Sequence, residues 1–306
     1  MKKIRKIAGV FKSNRKIVVS FLLGVILSGT TVYAAAIIAS ADVSYSNTAS
    51  GLTSKNVQSA IDELSHKMLT HCPDGNVCET KLSFSSDSWA TIAKNVKAGN
   101  GWLYKVGDTK RISMGSFGTH TLRLANTTGC TNGETSDSGC GFIVEFADII
   151  AEDAMTSSAS SGENKDGWPS SRVRTYINGT IYNALPNDLK SVIASSNIVS
   201  SHGTKSGALT YKSTDKLFLL STKEVYGYET SGSLSGITIP SGSETKQLDY
   251  YKKYKNYIKK YNNKDSDWWL RSADDTLYYI YVGYDGYQDY DNVDYSYGIS
   301  PAFKIA

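Results

Sequence analysis

Apolar positions along this chain fall into three regimes, and each predicts a different kind of structure. Residues 17–39 form a continuous apolar run interrupted only by Ser and Thr. Residues 41–46 alternate apolar and polar side chains as a short strand does. Val57, Ala60, Ile61, Leu64 and Met68 then recur at helical spacing. Ser54 stands in front of them as an N-cap type, so a helix of about four turns with one apolar stripe is expected. From residue 72 onwards, short β-like stretches (102–106, 121–124, 141–146) alternate with Gly/Ser-rich loops. Helical spacing returns at Val173, Tyr176, Ile177 and Ile181 within 170–184, and at Leu189, Val192 and Ile193 within 186–195. A Lys/Tyr segment, 250–264, reads as a partly exposed helix whose lysines mark a solvated face. Tyr279 and Tyr281, alternating with Ile280 and Val282, read as a half-buried strand. The expectation is an α+β fold.

Charge changes how the first regime is read. The formal net charge is +4, but Lys2, Lys3, Arg5, Lys6, Lys12, Arg15 and Lys16 all precede the apolar run, with no acidic residue among them. Setting those seven of the 33 basic residues aside leaves 26 against 29 acidic ones, so the body carries about −3. This removes the electrostatic argument for nucleic-acid binding. A basic segment, an apolar run and small residues near Val32-Tyr33-Ala34 make an export signal cleaved after Ala34. Equally, 23 largely apolar residues suffice for an uncleaved membrane anchor. Either way, residues 1–39 are the leader and the protein is extracellular or on the cell surface.

Residues 40–71 then read as a strand–turn–helix stalk that self-associates through 54–69, or as a helix packed on its own domain. The cysteines suit an oxidising compartment: Cys72 with Cys78 and Cys130 with Cys140 is the simplest of three pairings. Neither pair has zinc-knuckle spacing, so no structural metal is expected.

The oddest chemistry lies in residues 278–298, which hold eight Tyr, four Asp, three Gly, one Asn and one Ser. Paratopes use this mixture, because Tyr gives rigid contact area at low entropy cost while Asp, Asn, Ser and Gly adapt their polar contacts. On either side stand Asp267-Trp268-Trp269-Leu270-Arg271-Ser272 and Gly298-Ile299-Ser300-Pro301-Ala302-Phe303-Lys304-Ile305. Trp268, Trp269, Arg271, Pro301 and Phe303 are expected as a structural frame. Arg271 is expected to be buried and paired with an acid such as Glu145 or Asp148.

Several motifs occur in order with that frame: Gly107-Asp108, Val144-Glu145-Phe146-Ala147-Asp148-Ile149-Ile150, Gly167-Trp168-Pro169-Ser170-Ser171-Arg172-Val173-Arg174, Leu185-Pro186-Asn187-Asp188-Leu189-Lys190 and Leu219-Leu220-Ser221-Thr222-Lys223-Glu224-Val225. The ordered set resembles an uncharacterised domain widespread in exported proteins of Gram-positive gut bacteria, over roughly residues 85–306. That domain is itself similar to the C-type lectin fold, in the branch of the formylglycine-generating enzymes. The resemblance implies a C-type-lectin-like domain over 72–306. The same branch includes variable proteins of diversity-generating retroelements, in which template adenines are randomised, often in Asn codons. Every residue of 278–298 except Gln288 is reachable from such a codon by adenine changes.

These readings make 278–298 a ligand-binding segment. Tyr281, Tyr284, Asp285, Tyr287, Asp289, Tyr290, Asp291, Asp294, Tyr295 and Tyr297 are expected to supply most of the surface that meets an extracellular protein or glycan. A structural envelope protein that packs this face against its own copies is the alternative. Asp285, Asp289, Asp291 and Asp294 could offer oxygen ligands to calcium, but neither the Glu-Pro-Asn nor the Trp-Asn-Asp triplet of sugar-binding lectins occurs. No metal or cofactor is therefore expected. Catalysis is not expected either. The copper-dependent formylglycine enzymes use late paired cysteines, whereas the last Cys here is Cys140. His120 and His202 sit in Gly/Ser/Thr-rich stretches without a nucleophile motif.

Overall fold

A computed structural model describes residues 43, 55–69, 82–157, 167–201, 210–228, 244–273 and 277–306. The leader, Cys72, Cys78 and His202 lie outside the described residues. Among those described, no helix is long and apolar enough to cross a membrane. The chain divides into two compact units, Met1–Thr80 and Lys81–Ala306. The second therefore begins nine residues after the boundary expected at 72.

In the first unit, the striped segment forms the helix Val57–Leu69. Its start is capped by Asn56, whose Oδ1 accepts the Ser59 N–H at 2.8 Å, two residues beyond the expected Ser54. Ala60 is buried, whereas Ile61 is half exposed.

The second unit is α+β. Its strands are β1 (Thr109–Ser113), β2 (Thr119–Asn126), β3 (Phe142–Phe146), β4 (Ala151–Ala154), β5 (Ser196–Ser201), β6 (Thr210–Asp215), β7 (Lys259–Tyr261), β8 (Lys264–Ser266), β9 (Trp268–Ala273), β10 (Tyr278–Val282), β11 (Gln288–Asn292), β12 (Ser296–Ile299) and β13 (Ala302–Ile305). One sheet runs β1-β2-β3-β13 and a second runs β11-β10-β9-β12-β4; β5-β6 and β7-β8 are separate pairs. Every pairing is antiparallel except β12 on β9. β3 and β9 are buried along their whole length, and their charged residues, Glu145 and Arg271, are buried with the rest.

Four expected elements come out differently. Residues 102–106 are not a strand: Gly101–Leu103 is a 3-10 turn, with Gly101 held between Phe142 and Val96. The 170–184 helix is Arg172–Tyr176, a π turn Ile177–Ile181 and a short Tyr182–Ala184 segment. The Asn178 side chain explains the widening, because its Nδ2 bonds the Arg174 carbonyl and the Leu217 carbonyl. The 186–195 helix stops at Lys190. Beyond it Ile193 bridges Ile305, and the Ala194 N–H donates to the Lys304 carbonyl.

The Lys/Tyr segment is helical only over Asp249–Tyr254 and ends at Lys255, whose φ is +50°. The chain then makes the β7–β8 hairpin through Asn262 and Asn263, both at positive φ, as a tight hairpin turn requires. Nor are its lysines all solvated. Lys259 is fully buried and bonds Glu145 Oε2 at 2.7 Å, the Phe146 carbonyl at 2.6 Å and Ser300 Oγ at 2.8 Å. Arg123 also donates to Glu145, through Nε at 3.0 Å and Nη2 at 2.8 Å, and the Tyr251 hydroxyl does so at 2.7 Å. Four donors thus satisfy one carboxylate inside the four-stranded sheet's core.

Candidate binding surface

The Tyr/Asp segment forms the β10–β11 hairpin at one edge of the five-stranded sheet and then returns as β12 on the far side of β9. The turn follows from its residues. Gly286 takes φ +86°, and its N–H donates to the Gly283 carbonyl at 2.8 Å. Asp285 Oδ1 accepts the Tyr287 N–H at 3.1 Å, an Asx turn. Asp267 Oδ1 takes the Tyr284 N–H at 2.7 Å. On the inner side the Tyr226 hydroxyl donates to the Gly286 carbonyl at 3.0 Å. The turn backbone is therefore fixed while Tyr284 and Tyr287, 64% and 75% exposed, project from it.

The ten residues expected to meet a ligand do not behave alike. Tyr284, Asp285, Tyr287, Asp289, Tyr290, Asp294 and Tyr295 are exposed. Tyr281, Asp291 and Tyr297 are half-buried, and they form the floor of one sheet face. The rings of Tyr281 and Tyr297 lie 4.7 Å apart, and Tyr297 lies 4.7 Å from fully buried Trp269. Tyr279 packs on the same indole and is buried, not exposed.

The two half-buried hydroxyls point at carboxylates. Tyr297 donates to Asp291 Oδ2 at 2.5 Å, and Tyr281 makes a longer bond of 3.4 Å to Asp289 Oδ2. Burial, followed by the surrounding carboxylates of Asp267, Asp289 and Asp291, raises the Tyr281 hydroxyl well above the usual tyrosine range. Tyr297 is raised by burial and then by its bond to Asp291.

The same two aspartates serve the sheet edge. Gly283 N–H to Tyr287 and Val293 N–H to Leu277 place the odd-numbered backbone groups of β11 towards β10. The even-numbered N–H groups therefore face outward. Two of these, Tyr290 and Asn292, donate to Oδ1 of the preceding Asp289 and Asp291, at 2.9 and 2.7 Å. Asp289 and Asp291 are thus built into the hairpin as well as displayed by it.

Beneath the hairpin, Trp268, Trp269, Arg271 and Phe303 are all fully buried, and Pro301 is buried with them. The expected partners of Arg271 are corrected: neither Glu145 nor Asp148 touches it. Its Nη1 and Nη2 bond both oxygens of buried Glu224 at 2.6 Å each, in a bidentate fork. Nη1 reaches the Leu219 carbonyl and Nη2 reaches Ser138. Burial alone would raise the Glu224 carboxyl, but Arg271 and its hydrogen bonds hold it below the usual range. Glu224 also closes a capping box with Ser221 on the helix Thr222–Tyr226. The Ser-x-x-Glu spacing of Ser221 and Glu224 could have shown the cap in the sequence; nothing there showed the ion pair. Gly298 completes the frame, since a Cβ there would meet Ile149 Cδ1 at 2.5 Å and the Asp267 carbonyl at 2.7 Å.

Other chemistry lies elsewhere. Cys130 and Cys140 are joined, so their sulfurs, with Glu134 nearby, are not offered as thiolate ligands. His120 is half-buried, its Nε2 bonded to the Phe117 carbonyl at 2.8 Å. It lines an open polar cleft of about 640 Å³ with Asp148, Glu152 and Lys260. A second cleft of about 450 Å³ lies over the π turn, between Arg174, Asn178 and Lys216. Neither contains any of the ten hairpin residues. The candidate surface is therefore displayed rather than recessed.

Comparison with known proteins returns no matching curated protein and no matching solved structure. A family profile does match residues 146–306, which include β9 to β13 and the whole hairpin. On that match, covering just over half of the chain, the protein belongs to the family described as Domain of unknown function (DUF6273).

Proposed function

We propose that this is an exported, cell-surface or secreted recognition protein that uses the Tyr/Asp hairpin to bind a protein or glycan ligand and performs no catalysis. One observation carries the reading. Seven of the ten residues stand exposed, five of them (Tyr284, Asp285, Tyr287, Asp289 and Tyr290) on a hairpin whose turn backbone is hydrogen-bonded in place. Rigid aromatic side chains on a fixed scaffold lose little entropy on binding. The basic leader, retained as an anchor or cleaved, supplies export, and the Cys130–Cys140 disulfide suits that compartment. A C-type-lectin-like fold and diversification of 278–298 by adenine mutagenesis belong to the same reading. The mixed α+β architecture supports the first. The exposure of these residues on one hairpin is what diversification would need. A reverse-transcriptase gene beside a near-repeat of these codons, with adenine at the differing positions, is the outcome expected in the flanking DNA.

The envelope-assembly alternative has one observation on its side, the half-exposed Ile61 on the helix Val57–Leu69, which supports self-association through 54–69. At the hairpin the capped N–H groups of β11 argue against strand-to-strand assembly. The deciding experiment is the triple variant Tyr284→Ala/Tyr287→Ala/Tyr295→Ala. It is expected to lose partner binding while its Tm stays within about 3 °C of the parent. Retained binding would refute the assignment.

A further inference from the structure

The charge on the candidate surface narrows the class of partner. Residues 277–299 carry Asp285, Asp289, Asp291 and Asp294 and no Lys, Arg or His. Asp267 adds a fifth carboxylate, bonded to the Tyr284 backbone at the turn. Between them lies an aromatic floor of Tyr281 and Tyr297 on Trp269. Each tyrosine hydroxyl donates to an aspartate, and a phenol donating to an anion has a more electron-rich ring face. An electron-rich ring attracts a cation lying over it. The carboxylates of Asp267 and Asp291 act on both hydroxyls, and that of Asp289 also acts on Tyr281.

We infer that this face docks a basic protein segment, with an Arg or Lys side chain lying over the Tyr281–Tyr297 floor among the carboxylates of Asp267, Asp289 and Asp291. The inference rests on the hairpin being a binding surface, and it deepens that reading by choosing between protein and glycan. A planar guanidinium both stacks on aromatic rings and bonds carboxylates in a fork. Each carboxylate here spends at least one oxygen on a tyrosine or a backbone N–H, and keeps lone pairs for a further donor. A neutral glycan can donate hydroxyls to these carboxylates but brings no positive charge to meet them, and an anionic one is repelled by them. Exposed Tyr284 and Tyr287 at the turn then meet the apolar flanks of the segment.

A random dodecapeptide phage-display library panned against the full chain tests this. Enriched peptides should carry net positive charge, and a synthetic copy of the best should bind at least tenfold more weakly when salt rises from about 0.05 to about 0.5 M. Asp289→Asn/Asp291→Asn removes two charges and keeps one acceptor oxygen per residue for the outward backbone N–H groups. It should weaken that peptide at least fivefold while the domain still unfolds cooperatively, and the distant Glu134→Gln should have no effect. Enrichment of neutral or acidic peptides, or binding insensitive to salt and to the double Asn variant, overturns the inference. So does capture of a neutral glycan on an array with no peptide enriched. In any of these cases, loss of the bound ligand on Tyr284→Ala/Tyr287→Ala would still leave the hairpin as the binding surface. Retention of the ligand would sink both readings.

Discussion

Lys259 shows how much a single residue can hide from pattern reading. It sits in a segment dense in Lys and Tyr, yet its ammonium is buried against Glu145, Phe146 and Ser300. Burial outweighs the pull of Glu145 and lowers its pKa to about 8 from 10.5. A base whose folded pKa is depressed costs the folded state stability while protonated, and that cost is relieved as pH rises from the folded towards the unfolded value. Tyr251, Tyr281 and Tyr297 act in the opposite sense. Their folded values are raised, so their contribution is lost once unfolded tyrosine ionises, above about pH 10. Unfolding free energy should therefore climb between about pH 8 and 9.5 and fall beyond about pH 10. Urea melts across that range check this. Lys259→Met should abolish the climb and destabilise by about 3–5 kcal/mol, because it leaves Glu145 short of one cation. A parent whose stability is flat between pH 8 and 9.5 would contradict the burial argument.

Among the elements, β10 and β11 differ in how openly the sequence declares them. β10 was legible, because Tyr279 and Tyr281 alternate with Ile280 and Val282. β11, Gln288–Asn292, carries no apolar alternation, since its edge position exposes Asp289 and Tyr290. Its stability comes from pairing with β10 and from Asp side chains bonding backbone N–H groups, which no periodicity records. The same lack of signal explains the broken 170–184 helix, where Asn178 bonds residues some forty positions away. The edge makes its own prediction. Asp289→Ala/Asp291→Ala strips the caps from two outward N–H groups and leaves the strand open to pairing. It should convert the protein to concentration-dependent dimers or aggregates, read by size exclusion at several loadings. Asp289→Asn/Asp291→Asn, which retains one acceptor oxygen per residue for the outward N–H, should keep the parent's oligomeric state. Identical elution of parent and Ala variant would show that the caps do not guard this edge.

Across the whole second unit, the sequence distinguished frame from filling but could not say which tyrosines cross from one to the other. Trp268, Trp269, Arg271, Pro301 and Phe303 were legible as frame because Trp-Leu-Arg-Ser and Pro-Ala-Phe-Lys-Ile motifs flank the Tyr/Asp segment, and all five are buried. The partner of Arg271 was not legible: Glu224 lies 47 residues upstream, and only the tertiary fold brings it into range. Tyr281 and Tyr297 belong to both groups, being half-buried and packed against Trp269. Removing that indole therefore acts on core and surface together. Trp269→Ala deletes a fully buried side chain, along with its Nε1 bond to the Asp153 carbonyl. The cost should be about 3–5 kcal/mol, a large share of a domain's usual stability. Tyr281→Phe and Tyr297→Phe keep the rings and remove only the hydroxyls. Each should cost about 1 kcal/mol, with Tyr297 the more costly because its bond to Asp291 is 2.5 Å against 3.4 Å for Tyr281 to Asp289. Thermal unfolding of the three variants should rank Trp269→Ala far below Tyr297→Phe, and Tyr297→Phe below Tyr281→Phe. If Trp269→Ala melted with the parent, the indole would not be the floor on which the binding surface rests.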